Sequence, residues 1–194
     1  MTDVQTTKGA KRRAVIVATA RNLLIDEGLD RFVLRRIADR TDMRLGNLQY
    51  YFATRDDLLE AIVRNEFSND LAAMAQAAND DAATELTAVV ALLSERWLVD
   101  VGSVYLPIGL LALHEPRFAS VLAEIYQKFY DVIASLICRI DPNASPAQAR
   151  LRALVITSLL DGASLQTHAT RSQRTVRAVS REVSRLAIAI AHGQ

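Results

Sequence analysis

Apolar residues recur at three- and four-residue intervals along almost the whole chain and nowhere in strict alternation. Ile16, Val17, Ala20, Leu23 and Leu24 form one such stripe, the pattern of an amphipathic helix. Gly28, just after Asp26 and Glu27, is a natural stop for it. Leu34, Ile37 and Ala38 mark a short second helix, Thr41, Asp42 and Met43 break the pattern, and residues 45–52 resume it. Thr54 and Asp57 are spaced as a capping box with aspartate in place of the usual glutamate. They open a longer helix that runs through Leu58, Leu59, Ile62, Phe67, Leu71 and Met74 to about residue 78. Asn79, Asp80 and Asp81 are the expected hinge, followed by a helix over 83–100 with Leu86, Val89, Val90, Leu93 and Trp97 on one face. Gly102 and Pro107 predict a short, bent helix over 101–114, and Pro116 opens the next one, to about residue 140. The stretch 141–146, with two prolines, reads as a loop, and two helices over 146–167 and 175–191 close the chain. The expected fold is all-α, with about nine helices.

Composition adds boundaries to that picture. At 194 residues, half of them apolar and about a quarter charged, the chain is long enough to bury its own core. Cys138 is the sole cysteine, so an internal disulfide is excluded, and it reads as a small buried apolar residue in the run 132–140. No apolar run reaches the ~18–20 residues that span a bilayer, and the polar, basic stretch 1–13 does not resemble a signal peptide. No membrane association is expected, and the expected location is the cytoplasm. The net charge of +1 conceals a gradient: residues 1–65 carry 12 basic and 9 acidic side chains, whereas 66–140 carry 4 and 10. A basic first third is compatible with phosphate binding.

The informative stretch lies between Phe32 and Leu59. Two short helices joined by a tight turn and packed on a preceding helix describe a helix-turn-helix, whose second helix enters the major groove of DNA. Arg44, Asn47, Gln49, Tyr50 and Tyr51 put hydrogen-bonding groups on that second helix within about two turns. Arginine pairs with guanine, asparagine and glutamine with adenine, and tyrosine hydroxyls hold phosphates. Leu45 and Gly46 at its start, and Arg35 on the first helix, complete the candidate surface. Leu48 and Phe52, four apart, are expected to face the core.

These residues resemble the tetracycline-repressor (TetR) family. The first helix carries Ile16-Val17-Ala18-Thr19-Ala20, Leu23-Leu24 and Gly28, and the second Ile37-Ala38. Then come Gly46-x-Leu48-x-Tyr50-x-Phe52, Arg55 and Leu58-Leu59. The match covers about residues 12–65, and three positions depart from it. Phe32-Val33 stands where the family usually has a capping Thr or Ser, Asp42 replaces the glycine of the turn, and Arg44 replaces the Ser or Thr that starts the recognition helix. The resemblance implies a DNA-binding domain over 1–55, with Tyr50 and Tyr51 on DNA and Arg55 on phosphate. It also implies a helical ligand-binding and dimerisation domain over 56–194. The function implied is a transcriptional regulator, in the first place a repressor, that binds a pseudo-palindromic site on double-stranded operator DNA as a homodimer and is released by a small-molecule effector.

For the dimer interface the candidates are Leu151, Leu154, Val155, Leu159 and Gly162 on the eighth helix, with Val179, Val183 and Leu186 on the ninth. For the effector pocket they are Phe67, Met74, Trp97, Tyr126, Phe129 and Tyr130, with Thr157 and Asp161 as polar anchors. Such a lining predicts a medium-sized, substantially apolar effector. The Arg96-Trp97 pair, the His114-Glu115-Pro116 break and Tyr126-x-x-Phe129-Tyr130 resemble the branch that includes the choline-pathway repressors. The arginines of the last helix (Arg174, Arg177, Arg181, Arg185) read as its solvated face. The chain lacks a phosphate-binding glycine loop, metal-spaced Cys and His, or a nucleophile elbow, and its three histidines are far apart. No enzymatic activity and no cofactor are expected. An activator or architectural protein of the same fold is the competing reading.

Overall fold

The computed structural model describes residues 2–170 and 172–194, with side chains over 8–99, 104–169 and 172–194. It divides into two compact units, Met1–Glu66 and Phe67–Gln194.

In the first unit, α1 (Thr2–Glu27) ends where Gly28 takes φ 78° and its N–H closes on the Leu24 carbonyl at 3.0 Å. Only glycine adopts that backbone without strain. A single 3-10 turn (Leu29–Arg31) leads to α2 (Leu34–Arg40) and α3 (Leu45–Tyr51). α4 (Arg55–Gln76) begins at the reciprocal cap expected from the sequence: Asp57 N–H donates to Thr54 Oγ1 at 3.1 Å and Thr54 N–H to the Asp57 carboxylate at 2.9 Å. The core of the unit joins Ile16, Ala20, Leu23 and Leu24 with Phe32, Ile37, Leu48, Phe52, Leu58, Leu59, Ile62 and Val63, all buried. Phe32 explains its own departure from the family pattern. It is fully buried, and Val33 at the N-cap of α2 makes no side-chain cap, so packing replaces capping. Because Leu58 to Val63 pack in this core and Arg21 of α1 pairs with Glu66 at 2.7 Å, the division falls within α4, after Glu66. The sequence reading placed it between residues 55 and 56.

The second unit contains the end of α4 and α5 (Ala82–Arg96), α6 (Gly102–Ala112), α7 (Pro116–Ile140), α8 (Pro146–Thr170) and α9 (Gln173–Ala191). α7 buries Phe118, Val121, Leu122, Ile125, Phe129, Ile133, Leu136 and Ile137 at helical spacing and packs against α5, α6 and α8; α9 packs on α5 and α8. The helix expected over 83–100 is shorter. Its last turn widens into a π-helical turn (Trp97–Val101), and the Trp97 carbonyl accepts the Ser164 hydroxyl at 2.8 Å. Such turns leave carbonyls for tertiary partners. No described helix is long and apolar enough to cross a membrane.

Candidate nucleic-acid interface and effector cavity

The turn between α2 and α3 is built by Thr41 and Asp42. Thr41 is buried and its hydroxyl donates to the Ile37 carbonyl at 2.8 Å, while Asp42 takes φ 52°. Aspartate occupies left-handed geometry better than most side chains, so the turn survives without the family's glycine. Met43 N–H then bonds the Ala38 carbonyl at 2.9 Å and turns the chain into α3.

Arg44 sits at the N-cap of α3, where its donor-only guanidinium cannot cap the helix, and it is exposed. Leu45, Gly46, Asn47, Gln49 and Tyr50 are exposed, Tyr50 to 86%, and Tyr51 is half-buried, edge-on to Tyr50 at 5.4 Å. Leu48 and Phe52 are buried beneath them. Arg35 is exposed on α2, whereas its neighbours Arg36 and Arg40 are both held by Glu27. Arg55, the phosphate contact implied by the resemblance, is half-buried, and its Nη2 donates to the Leu29 carbonyl at 3.2 Å.

Beside α3 runs a groove of about 1090 Å³ whose other wall is the start of α1: Lys8, Gly9, Lys11, Arg12 and Val15. Asp42, Met43, Arg44, Asn47, Tyr50 and Tyr51 complete it. Arg12 ties the two walls by donating to the Thr41 carbonyl at 3.0 Å. Sequence reasoning left out Lys8, Lys11 and Arg12. Their signal was present as basic residues at i, i+3 and i+4, but without an apolar stripe there was no reason to extend the helix to them.

In the second unit a cavity of about 260 Å³ is lined by Trp97, Tyr105, Leu106, Gly109, Leu110, Tyr126, Asp161, Ser164 and Leu165. Trp97, Tyr126 and Asp161 of the expected lining stand on its wall. Phe67, Met74 and Phe129 lie outside it, buried in the core. Phe67 and Trp97 both pack edge-on against Phe129, with ring centres 5.1 and 5.3 Å away. Tyr130 stacks on Tyr126 at 6.0 Å, under Arg150. Thr157 is turned to its own helix, donating to the Leu154 carbonyl at 2.9 Å. Tyr105 was missed, since no local pattern separates it from the other residues of α6.

Asp161 dominates the cavity's electrostatics. Burial raises its carboxyl to about 6, partly offset by the Tyr126 hydroxyl, which donates to it at 2.7 Å. The same burial, with the Asp161 charge beside it, drives the Tyr126 phenol well above its ordinary range.

On α8, Leu151, Leu154, Val155 and Leu165 are exposed, and Leu159 and Gly162 are half-exposed. A side chain at Gly162 would meet no atom of its own chain within 4 Å. On α9, Val179 and Leu186 are half-exposed, but Val183 is buried within the chain.

Residues 16–62 match the family described as bacterial regulatory proteins, tetR family, and residues 100–189 match the BetI-type transcriptional repressor C-terminal domain. The HTH-type transcriptional regulator BetI of Burkholderia thailandensis is 30% identical over 158 residues, covering 78% of each chain. Among solved structures, a TetR transcription regulator from Haloarcula marismortui superposes with a TM-score of 0.79 at 18% identity, covering 93% of this chain and 98% of that one. A transcriptional regulator from Saccharomonospora viridis, solved in complex with choline, gives 0.75 at 19% identity, covering 90% and 94%. The matched head, the matched C-terminal domain and the open face of α3 agree: this chain belongs to the TetR family and is a transcriptional regulator with a BetI-type C-terminal domain.

Proposed function

We propose that the protein is a homodimeric repressor that reads a pseudo-palindromic operator and is released from it by a small organic cation. The observation that carries the DNA reading is the uncapped, solvent-facing surface of α3, continuous with the basic start of α1 across one groove. Arg44, Asn47 and Gln49 supply groups suited to base edges, and Tyr50, Lys8 and Lys11, which line the groove, supply groups suited to phosphates. Lys8→Ala together with Lys11→Ala is expected to weaken binding similarly on all sequences. It should flatten the log–log salt dependence by about 0.9 per lost phosphate contact. An unchanged slope in a fluorescence-anisotropy salt series would remove α1 from the interface.

Dimerisation follows from the exposed apolar stripe of α8, which pairs with the same stripe of a second copy. Two heads related by a two-fold axis read half-sites about one helical turn apart. Leu154→Glu places a charge in that stripe and is expected to give a monomer by sedimentation. Operator affinity then falls by about 10² or more, because the second head no longer binds intramolecularly. A dimer of undiminished affinity would contradict this assignment.

The effector class comes from the cavity. Trp97, Tyr105 and Tyr126 offer aromatic walls and Asp161 a carboxylate whose sole described partner is a neutral phenol. An ammonium group against such rings gains about 0.5–2 kcal/mol from their faces and more from the carboxylate. This replaces the apolar effector expected from sequence. The choline held by the Saccharomonospora viridis relative has that chemistry. A cation releases DNA only if it binds the released state better than the operator-bound one. The test is a mobility shift on the duplex upstream of the protein's own coding region, with choline added to the complex. Loss of the shifted band supports the reading, and a band stable to saturating choline and other small quaternary ammonium ions overturns the effector class.

A further inference from the structure

The cavity of the second unit is complete on its inner side and open at its rim. On the inner side, Trp97 Nε1 and Tyr105 Oη both donate to the buried carboxylate of Asp70, at 2.9 and 3.0 Å, and the Tyr126 hydroxyl donates to Asp161. The polar atoms of these walls are paired, so their rings offer the cavity aromatic surface. The rim is different. Leu110 of α6 and Leu165 of α8 line the cavity and yet are exposed to 65% and 59%. Leu113, three residues beyond Leu110, is exposed to 74%. Large apolar side chains gathered at the mouth of a site mark a surface that another apolar surface covers. Leu165 also belongs to the stripe of α8. Leu151, Val155, Ser158, Gly162 and Leu165 follow at steps of four, three, four and three, which keeps them on one helix face. Between 151 and 165 every exposed residue is Leu, Val or Ser, with Arg152 paired to Asp141 and Asp161 on the cavity wall. A two-fold axis sets such a face against itself, where charges would meet their like and apolar side chains do not. The cavity mouth therefore borders the face that suits a second copy, and α6 packs on α8 beside it.

We infer that a second copy of the chain closes this mouth, its apolar surface covering Leu110 and Leu165, so that the effector site is complete only in the dimer. The inference rests on the α8 interface and the cationic effector proposed above. Water kept out of the mouth lowers the local dielectric and strengthens the pull of Asp161 on an ammonium group. Effector binding and dimerisation are then linked. If pairing improves the site, an occupied site must improve pairing by the same factor.

Trp97 is the sole tryptophan of the chain and stands on the cavity wall, so its emission reports binding directly. The experiment titrates choline into full-length wild type and into the double variant Leu151→Glu, Val155→Glu. These substitutions put charges in the stripe about two to three turns from Asp161 and alter no cavity residue. The variant is expected to be a folded monomer by circular dichroism and sedimentation, and to bind choline about tenfold more weakly than wild type. With that ratio, choline at about ten times its Kd should tighten the wild-type dimer about 30-fold, because both sites gain together. Fluorescence-detected sedimentation of wild type with and without choline reads this, and stays decisive should the double variant not fold. A monomer with wild-type choline affinity, or a dimer constant indifferent to saturating choline, overturns the inference and leaves the interface and effector readings intact. A variant that remains dimeric overturns the α8 interface and the inference with it. Wild type that binds neither choline nor other small quaternary ammonium ions overturns the effector class and the inference together.

Discussion

Arg44→Ala lowers operator affinity by about 1–3 kcal/mol at each half-site and relaxes sequence preference at the base pair it reads. A symmetric dimer carries the change twice, so the loss spans about two orders of magnitude or more. Arg44 begins α3, caps nothing and is exposed, so its removal leaves no buried group unpaired. Thermal stability should therefore stay within about 0.5 kcal/mol of wild type. Tyr50→Ala, at a side chain exposed to 86%, should behave alike on affinity, with less effect on sequence preference. The checks are anisotropy with operator and scrambled duplexes, plus a melting curve. A variant that binds as tightly as wild type would remove α3 from the role of reader.

The second large effect concerns Asp161. Asp161→Asn is expected to weaken choline binding by about 10- to 100-fold, because the cation loses its counter-charge in a water-poor cavity. Wild-type affinity should be flat above pH 6 and fall by about tenfold per unit below it, as the carboxyl, raised to about 6, takes up a proton. The asparagine variant should show no such dependence. Stability of the unliganded protein runs the other way. A folded value near 6 lies above the ordinary 3.8, so the penalty of holding the charge is complete above pH 6 and disappears as pH falls toward 4. Relative to Asp161→Asn, wild type should thus gain stability across that window, by about 3 kcal/mol at most. Calorimetry on both proteins from pH 4 to 8 measures this, and parallel curves would contradict the assignment.

Much of this architecture was legible in the sequence because it rests on local rules. Gly28, the Thr54–Asp57 cap and Pro116 act over a few residues, so their spacing alone places the helix ends. The head was legible for the same reason: Leu48 and Phe52 go inward, and what remains of α3 faces out. Asp81 was read as part of a hinge, and it is also the N-cap of α5, accepting from Thr84 N–H at 2.9 Å. The widened turn at Trp97 was not legible, since five residues of π-helix leave nearly the same apolar pattern as α-helix. Nor was the cavity as a whole. Asp70 meets Tyr105 across 35 positions and Tyr126 meets Asp161 across 35, pairings that packing decides and periodicity does not encode. Phe67, Met74 and Phe129 carry the same aromatic or flexible character as wall residues, yet lie buried in the core instead.

Everything proposed for this protein depends on sequence-specific reading of DNA by α3. The most direct test is selection of bound fragments from a genomic library of the source organism, with nonspecific competitor at physiological salt, followed by footprinting of the enriched site. One or a few enriched fragments are expected, each protected over two inverted half-sites about one helical turn apart, with the protection lost in Arg44→Ala. Uniform recovery of fragments, with a salt-dependent affinity that is the same for every sequence, would contradict it.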